Sequence, residues 1–499
     1  LRERNPIEEG DGRRVQLPRL QRAVSLGIVC AVLLAGQSRV ARAGESTANG
    51  AQDGTPLVGA AHIDSSRPYS LTELIDIAAV SNPRTQIFRE RAAQGARRLG
   101  IARSEFFPAL NLGGTAQAAQ VIIPFPRVLA PAGFVVAQIP GVGPQASLDY
   151  AVFDLARSAR VDEASAGAEA AGARFRREDQ EVAFNVATAF YNLVTQQEAL
   201  EAARQTLDTS RITEEAVEAQ LAHGRATEPD VLNARAAAAQ ASFDLQSAMG
   251  NEMIARIALR DAIGAEPSPA IHIERPRDTD LPREVTASVE SLIGRALLDR
   301  PDLQATIAGL RGYEAGSREA KAAYAPTLAL SASVGPTWEW PSADGQFLGP
   351  AFAWQWTASL DVHWLLLDGG ARRNRVEEAE SKVRESQGEV REEHDRVVRE
   401  VWTAYVAFLT ALRKEEASVA LLDAADASYA SSLDAYKFGV RNEVDVVTSQ
   451  RQLAQARYAR VAARSEVFVD AMNLELVTGN VPGRAGPVTS AGTEGGAAR

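Results

Sequence analysis

The sequence predicts a mainly α protein with a small β part: long coiled-coil helices in an extended wall or tube, plus four strands that cannot close on themselves. Three observations carry this. Residues 155–221 and 371–437 each run 67 residues without a proline. Four shorter segments alternate apolar and polar side chains strictly by two. The same unit is written twice along the chain, at a nearly constant spacing.

Composition narrows the function before any motif does. The chain has 499 residues, 45% hydrophobic and 23% charged, and so belongs among folded proteins. Its net charge of −11 argues against nucleic acid as a partner. One cysteine excludes a disulfide scaffold and a cysteine metal cluster. The histidines at 62, 223, 272, 363 and 394 have no metal-ligand spacing, and no phosphate loop, dinucleotide fingerprint or nucleophile elbow is present. No catalytic residue, cofactor or metal site is therefore assigned, and the chain is not read as an enzyme.

The first element is an address. Arg13, Arg14, Arg19 and Arg22 precede an apolar run from Ala23 to Gly36, and Ala41-Arg42-Ala43 follows as a small-x-small cleavage site. That is the order of a secretory signal peptide over 1–43. Its apolar run is shorter than the roughly 20 residues a bilayer-spanning helix needs. Removal of 1–43 takes the only cysteine, Cys30, with it. An N-terminal extension follows over 44–68.

Repeat 1 spans 69–266, a Pro-rich linker 267–285, repeat 2 286–479, and a Gly/Ala-rich tail 480–499. The offset between copies is 218 from Asn82-Pro83 to Arg300-Pro301, and 215 from His223-Gly224 to Phe438-Gly439 and from Asp230-Val231 to Asp445-Val446. Landmarks in one order at one offset mark an internal repeat. Each copy reads helix, strand, strand, long helix, turn, helix.

The long helices are rich in Ala, Glu, Arg and Leu, with apolar positions stepping by three and four: Val182, Val186, Ala189 and Leu193, then Val397, Val401, Ala404 and Phe408. At about 1.5 Å per residue each is about 100 Å long, which suits a coiled-coil wall or tube and no compact domain. Shorter helices near 83–106 and 227–263 together match that length, so the economical arrangement stacks them end to end beside the long one.

In the strands, Leu328, Leu330, Ala332, Val334 and Trp338 alternate with Thr327, Ser331, Ser333 and Thr337. Phe352, Trp354, Trp356, Leu360 and Val362 alternate with Gln355, Thr357, Ser359 and Asp361. Copy one alternates likewise over 110–118 and 145–152. Five of six tryptophans fall between 338 and 364. Ten strand residues at a tilt near 45° cover about 23 Å of depth, close to the apolar band of a membrane β-barrel and its aromatic girdles. Trp338, Trp340, Trp354 and Trp356 are expected at the outer interface, and Tyr150 and Trp364 at the periplasmic one. Open edges are prohibitive in lipid, so other copies must complete the barrel.

With these residues in view the chain resembles the TolC-like outer-membrane efflux and secretion channels, over about residues 69–480. The carriers are Leu71-Thr72-Glu73-Leu74…Asn82-Pro83, Phe107-Pro108, Asp368-Gly369-Gly370, and the tip Tyr436-Lys437-Phe438-Gly439-Val440-Arg441-Asn442-Glu443-Val444-Asp445-Val446. The resemblance implies a homotrimer, with a 12-stranded outer-membrane β-barrel above a periplasmic α-barrel. Outer-membrane lipid, a periplasmic adaptor (membrane fusion) protein and an inner-membrane transporter are its implied partners. It implies a passive exit duct of tripartite efflux or type I secretion, with Asp445 as pore constriction and Asp230, Tyr436 and Arg441 as gate links. Some relatives carry a second acid where this chain has Thr448. His223, Gly224, Phe438 and Gly439 form the hairpin tips, where an adaptor would dock. The alternative is a soluble periplasmic coiled-coil adaptor or scaffold, which would not need the tryptophan-edged alternation.

Overall fold

The computed structural model describes residues 63–482, apart from 65, 129–130, 267, 269, 278–280 and 283–286. The expected signal peptide, most of the 44–68 extension, parts of the linker and the tail beyond Pro482 lie outside the described residues. The order is β1 (Pro68–Tyr69), α1 (Leu71–Ser81), α2 (Pro83–Ser104), β2 (Ala109–Pro124), β3 (Phe134–Phe153), α3 (Ala156–Ala222) and α4 (Glu228–Ile263). After β4 (His272–Ile273) come α5 (Val289–Asp299), α6 (Pro301–Ala322), β5 (Thr327–Glu339), β6 (Ser342–Ala343), β7 (Gln346–Phe347), β8 (Ala351–His363), α7 (Ala371–Lys437) and α8 (Glu443–Val477). Among the described residues no helix is long and apolar enough to cross a membrane.

Local chemistry sets the helix boundaries. Ser70 and Glu73 form a reciprocal capping box at the start of α1. Asn82 ends α1 and caps α2, whose first residue is Pro83 with its fixed φ and no N–H to leave unpaired. The same junction recurs at Arg300-Pro301. The Ser81 hydroxyl and the Asn82 amide donate to the carbonyls of Ile263 and Ala262, at 2.9 and 2.8 Å. So α2 begins where α4 ends, and both pack along α3. Gly264, at φ +82°, makes the join possible: a Cβ there would stand 2.7 Å from the Asn82 Cα. In the second copy α6 and α8 pack along α7, and Gly479 meets Asp299-Arg300 in the same way.

Apolar stripes hold these columns together. Leu74, Ile75, Val186, Phe190, Leu193, Leu259 and Ile263 form one core. Leu292, Ala296, Val397, Val401, Ala404, Phe408 and Leu474 form a second. A third lies toward the helix turns, with Val217, Val231, Leu433, Tyr436, Val446 and Leu453. Near the second core the buried Arg300 donates to Asp302 at 3.0 and 2.5 Å and to Glu400 at 2.6 Å. Burial alone would raise the Asp302 pKa, but the Arg300 hydrogen bond and the charges of Arg177 and Arg300 hold it below the usual carboxylate range.

The four long strands form an antiparallel sheet in the order β2-β3-β5-β8, so β2 and β8 are its edges. The small β6–β7 hairpin folds back onto β3, with Ala137 opposite Ala343. The β2–β3 hairpin reaches farther than the alternating segments 110–118 and 145–152. Pairing continues to Pro124 opposite Phe134, where, apart from Gln120 and Gln138, the sequence is apolar on both faces and carries no period-two signal. A bulge between Ala151 and Phe153 sets Phe153, not Val152, opposite Leu328, so the alternation expected through Val152 breaks there.

Candidate functional site

The two helix turns lie at the end of the helical columns away from the sheet. The α3–α4 turn passes through Gly224 at φ +70°, the α7–α8 turn through Gly439 at φ +74°. Gly439 N–H donates to Tyr436 O and Val440 N–H to Ala435 O, both at 2.8 Å, a tight helix C-terminus that a left-handed glycine permits. His223 caps α3, its Nδ1 2.6 Å from the Ala219 carbonyl oxygen. Phe438 is 82% exposed at the extreme of its turn. The Gln220 side chain donates to Lys437 O at 3.0 Å, so the two turns stand side by side.

The four expected gate residues separate into two kinds. Asp230 and Asp445 both occupy the first turn of a returning helix, where a carboxylate favours the helix dipole. Asp230 Oδ2 accepts from the Thr227 N–H and hydroxyl, each at 2.8 Å. Asp445 donates its backbone N–H to Asn442 Oδ1 at 2.9 Å and leaves its own side chain exposed, as is Thr448 one turn on. Tyr436 is buried in the tip core, and its hydroxyl has no hydrogen-bond partner among the described residues. Burial, then the charges of Asp230 and Glu443, raise its pKa. Arg441 donates to the Ser432 hydroxyl at 3.2 Å.

Glu443 is the residue that sequence reasoning missed. It is only 4% exposed, and its Oε1 has no hydrogen-bond partner among the described residues. Burial first, then the nearby charge of Asp230, raise its pKa, while the Asn233 side chain pulls the other way. As the first residue of α8 it reads in sequence as an ordinary dipole-favouring acid. Only α4, which brings Asp230 and Asn233, makes it a buried one. Tyr436, Asp230 and Glu443 thus form one cluster in which like charges crowd an unpaired hydroxyl.

At the other end the sheet presents its aromatic row. Trp338 stands opposite Phe352 with ring centroids 5.3 Å apart, Trp354 opposite Pro336, and Trp356 opposite Val334. Trp354 and Trp356 are 68% and 70% exposed, with Leu360 and Val362 continuing the same open face. Trp340 donates its backbone N–H to Pro140 O. Tyr150 lies within β3 opposite Leu330, beneath the Arg157 guanidinium at 5.7 Å. Trp364 falls just beyond β8, its Nε1 donating to Tyr324 O at 3.1 Å, so it fills the strand-to-helix corner rather than a strand position. The opposite face carries Ser331, Ser333, Thr357, Ser359 and Asp361. Ion pairs fix both strand-to-helix corners: Arg160 to Asp154 at 2.6 Å and Arg372 to Asp368 at 2.9 Å.

Known proteins share this arrangement. A model of the family described as "outer membrane efflux protein" matches residues 74–265 and 292–480. Protein CyaE of Bordetella pertussis is 25% identical over 415 residues, 83% of this chain and 84% of that protein. The outer membrane protein VceC of Vibrio cholerae superimposes with a TM-score of 0.68 at 19% identity, over 82% of this chain and 96% of the other. The open state of the MtrE outer membrane channel of Neisseria gonorrhoeae does so with a TM-score of 0.65 at 21% identity, over 82% and 89%. At such identities these structures establish the fold.

Proposed function

Because the chain belongs to the outer membrane efflux protein family, we propose that three copies close one 12-stranded barrel in the outer membrane above a common periplasmic helical tube. It is an outer-membrane efflux channel with a periplasmic extension. The observation that carries the finer reading is the sheet itself. It exposes an apolar, tryptophan-edged face and ends in two free long edges, β2 and β8. In hydrocarbon each unpaired N–H and C=O costs several kcal/mol, so edge must meet edge of another copy. Four strands are half the smallest bacterial barrel, and three copies supply twelve.

In this reading the lumen is lined by the polar row of the sheet and continues down the helical tube to the turns. The duct is passive and does no chemistry of its own. It takes the cargo that an inner-membrane transporter delivers through a periplasmic adaptor, in tripartite efflux or type I secretion. The adaptor meets the exposed turns at His223, Gly224, Phe438 and Gly439. About a threefold axis, Asp445 becomes a ring of three carboxylates, which favours cations and resists closing unless hydrated or paired. Asp230, Tyr436 and Arg441 hold the ring together. The repeat boundaries 69–266 and 286–479 then delimit the two hairpins that each subunit contributes.

The purified protein in planar bilayers tests this. Discrete conductance steps are expected, and Arg441→Ala and Tyr436→Phe should each raise the step size. Unchanged conductance in both would remove the gate assignment. Absence of steps altogether would remove the duct.

A further inference from the structure

The lumen-side face of the β2–β3 hairpin changes character at one height. From the base upward it carries Asn111 opposite Ser147, Gly113 opposite Gln145, Thr115 opposite Gly143, and Gln117 opposite Gly141. Above that come Ala119 opposite Ile139, Val121 opposite Ala137, and Ile123 opposite Val135. Six apolar side chains replace a polar row with no polar residue among them. On the outer face a single polar pair, Gln120 opposite Gln138, stands just above the lipid-facing row, and Ile122 opposite Val136 follows it.

This segment stands clear of the apolar band. Trp338 of the girdle pairs with Val142, and the ladder runs eight residues farther, to Phe134. Eight strand residues at a tilt near 45° rise roughly 19 Å. So the apolar inner face lies at the outer mouth, beyond the hydrocarbon; the chain itself buries Ala137 there, half-buries Val135 and Ile139, and leaves Ala119, Val121 and Ile123 of β2 exposed. Val121 and Ile123 are 43% and 38% exposed.

Two observations identify what covers it. The β3 side of the hairpin is already occupied by β6 of the same chain, through Ala137 and Ala343. The β2 side is open, and it continues the edge that a neighbouring subunit must pair within the membrane. Charge agrees. From Ala109 to Leu148 the only charged residue is Arg127, at the hairpin turn. Near a threefold axis identical side chains of the three copies cluster, so charges there would repel one another, and this surface carries none.

We infer that the β2–β3 hairpins of neighbouring copies pack their inner faces on one another over the lumen. Ala119, Val121, Ile123, Val135 and Ile139 then form an apolar seal at the outer mouth. The inference rests on the barrel reading above and adds a second closure to it. The periplasmic end is held by charged and hydrogen-bonding groups, the outer end by contacts that exclude water. Cargo would part the outer seal without breaking any ion pair.

A thiol and a charge test it. In a Cys30→Ala background no other cysteine remains, so Ile123→Cys and Ser147→Cys each carry a single thiol per chain. Both sit on the lumen-side face, at different heights. Outer membranes treated with a short bis-maleimide should give covalent dimers from Ile123→Cys and none from Ser147→Cys. The paired change Val121→Asp with Ile123→Asp should raise single-channel conductance severalfold while the protein stays trimeric. The cysteine changes are small and neutral, so a folding defect in the acidic variant would not obscure the result. Trimers without the Ile123→Cys cross-link, or correctly assembled acidic trimers with unaltered conductance, would overturn this seal and leave the barrel standing. A monomer in detergent would overturn the barrel and the seal together.

Discussion

At the scale of the residue, the decisive side chain in the periplasmic tip is Glu443. A buried carboxyl with a neighbouring acid is held above its ordinary value of 4.5 by burial first and by the charge of Asp230 second. The packed tip therefore binds a proton more tightly than an opened one does. Its stabilising contribution is complete below the ordinary value and is lost as pH rises through the raised one. Channels should be more closed in acid and open further as pH climbs from about 4.5. Glu443→Gln keeps the shape of the neutral acid and removes the titration. Its conductance should stay at the acid level and show no such rise across the same range. A variant that retains the full wild-type pH profile would move the sensor elsewhere. The sequence showed Asp230, Tyr436, Arg441 and Asp445 only by their resemblance to a tip motif, and Glu443 not at all. Spacing along one helix says which acid lies near the N-terminus, while its burial is decided by Asn233 and Asp230 arriving on another helix.

At the scale of the element, what could be read was what repeats. The proline-free stretches became α3 and α7, and the seam residues Val186, Leu193, Val397 and Phe408 are buried as their spacing required. The alternating segments became β2, β3, β5 and β8. What could not be read was where alternation stops being the rule. Apart from Gln120 and Gln138, the outer half of the β2–β3 hairpin is apolar on both faces, and the Val152 bulge shifts parity within a strand. A third irregularity lies in the middle of the sheet. Pairing between β3 and β5 lapses from Gly143 to Gln145 and from Gly335 to Thr337, where Pro144 and Pro336 cannot donate to the ladder. The two glycines let the strands close over that gap, since a Cβ on Gly335 would collide with the Pro144 carbonyl oxygen, and one on Gly143 with that of Pro336. Gly335→Ala should therefore part the central strands and cost roughly 1–3 kcal/mol, as overpacking does. The check is the temperature at which the assembled protein dissociates on a semi-native gel. A variant as heat-resistant as wild type would show that the gap is slack.

At the scale of the whole molecule, one chain is half of nothing closed. Its helices pair into columns, yet its sheet presents an open apolar face and two bare edges. Each of these is what an interior looks like before the other subunits arrive. The helical columns, each about 100 Å long, follow the same logic: the chain is a wall segment, and the function belongs to what the wall encloses. The claim on which everything depends is that sister copies supply the missing edges. The mass of the detergent-extracted full-length protein, measured by sedimentation or native mass spectrometry, tests it most directly. The account predicts a species of three chains that leaves the membrane only with detergent. A monodisperse single chain, stable in buffer without detergent, would contradict it.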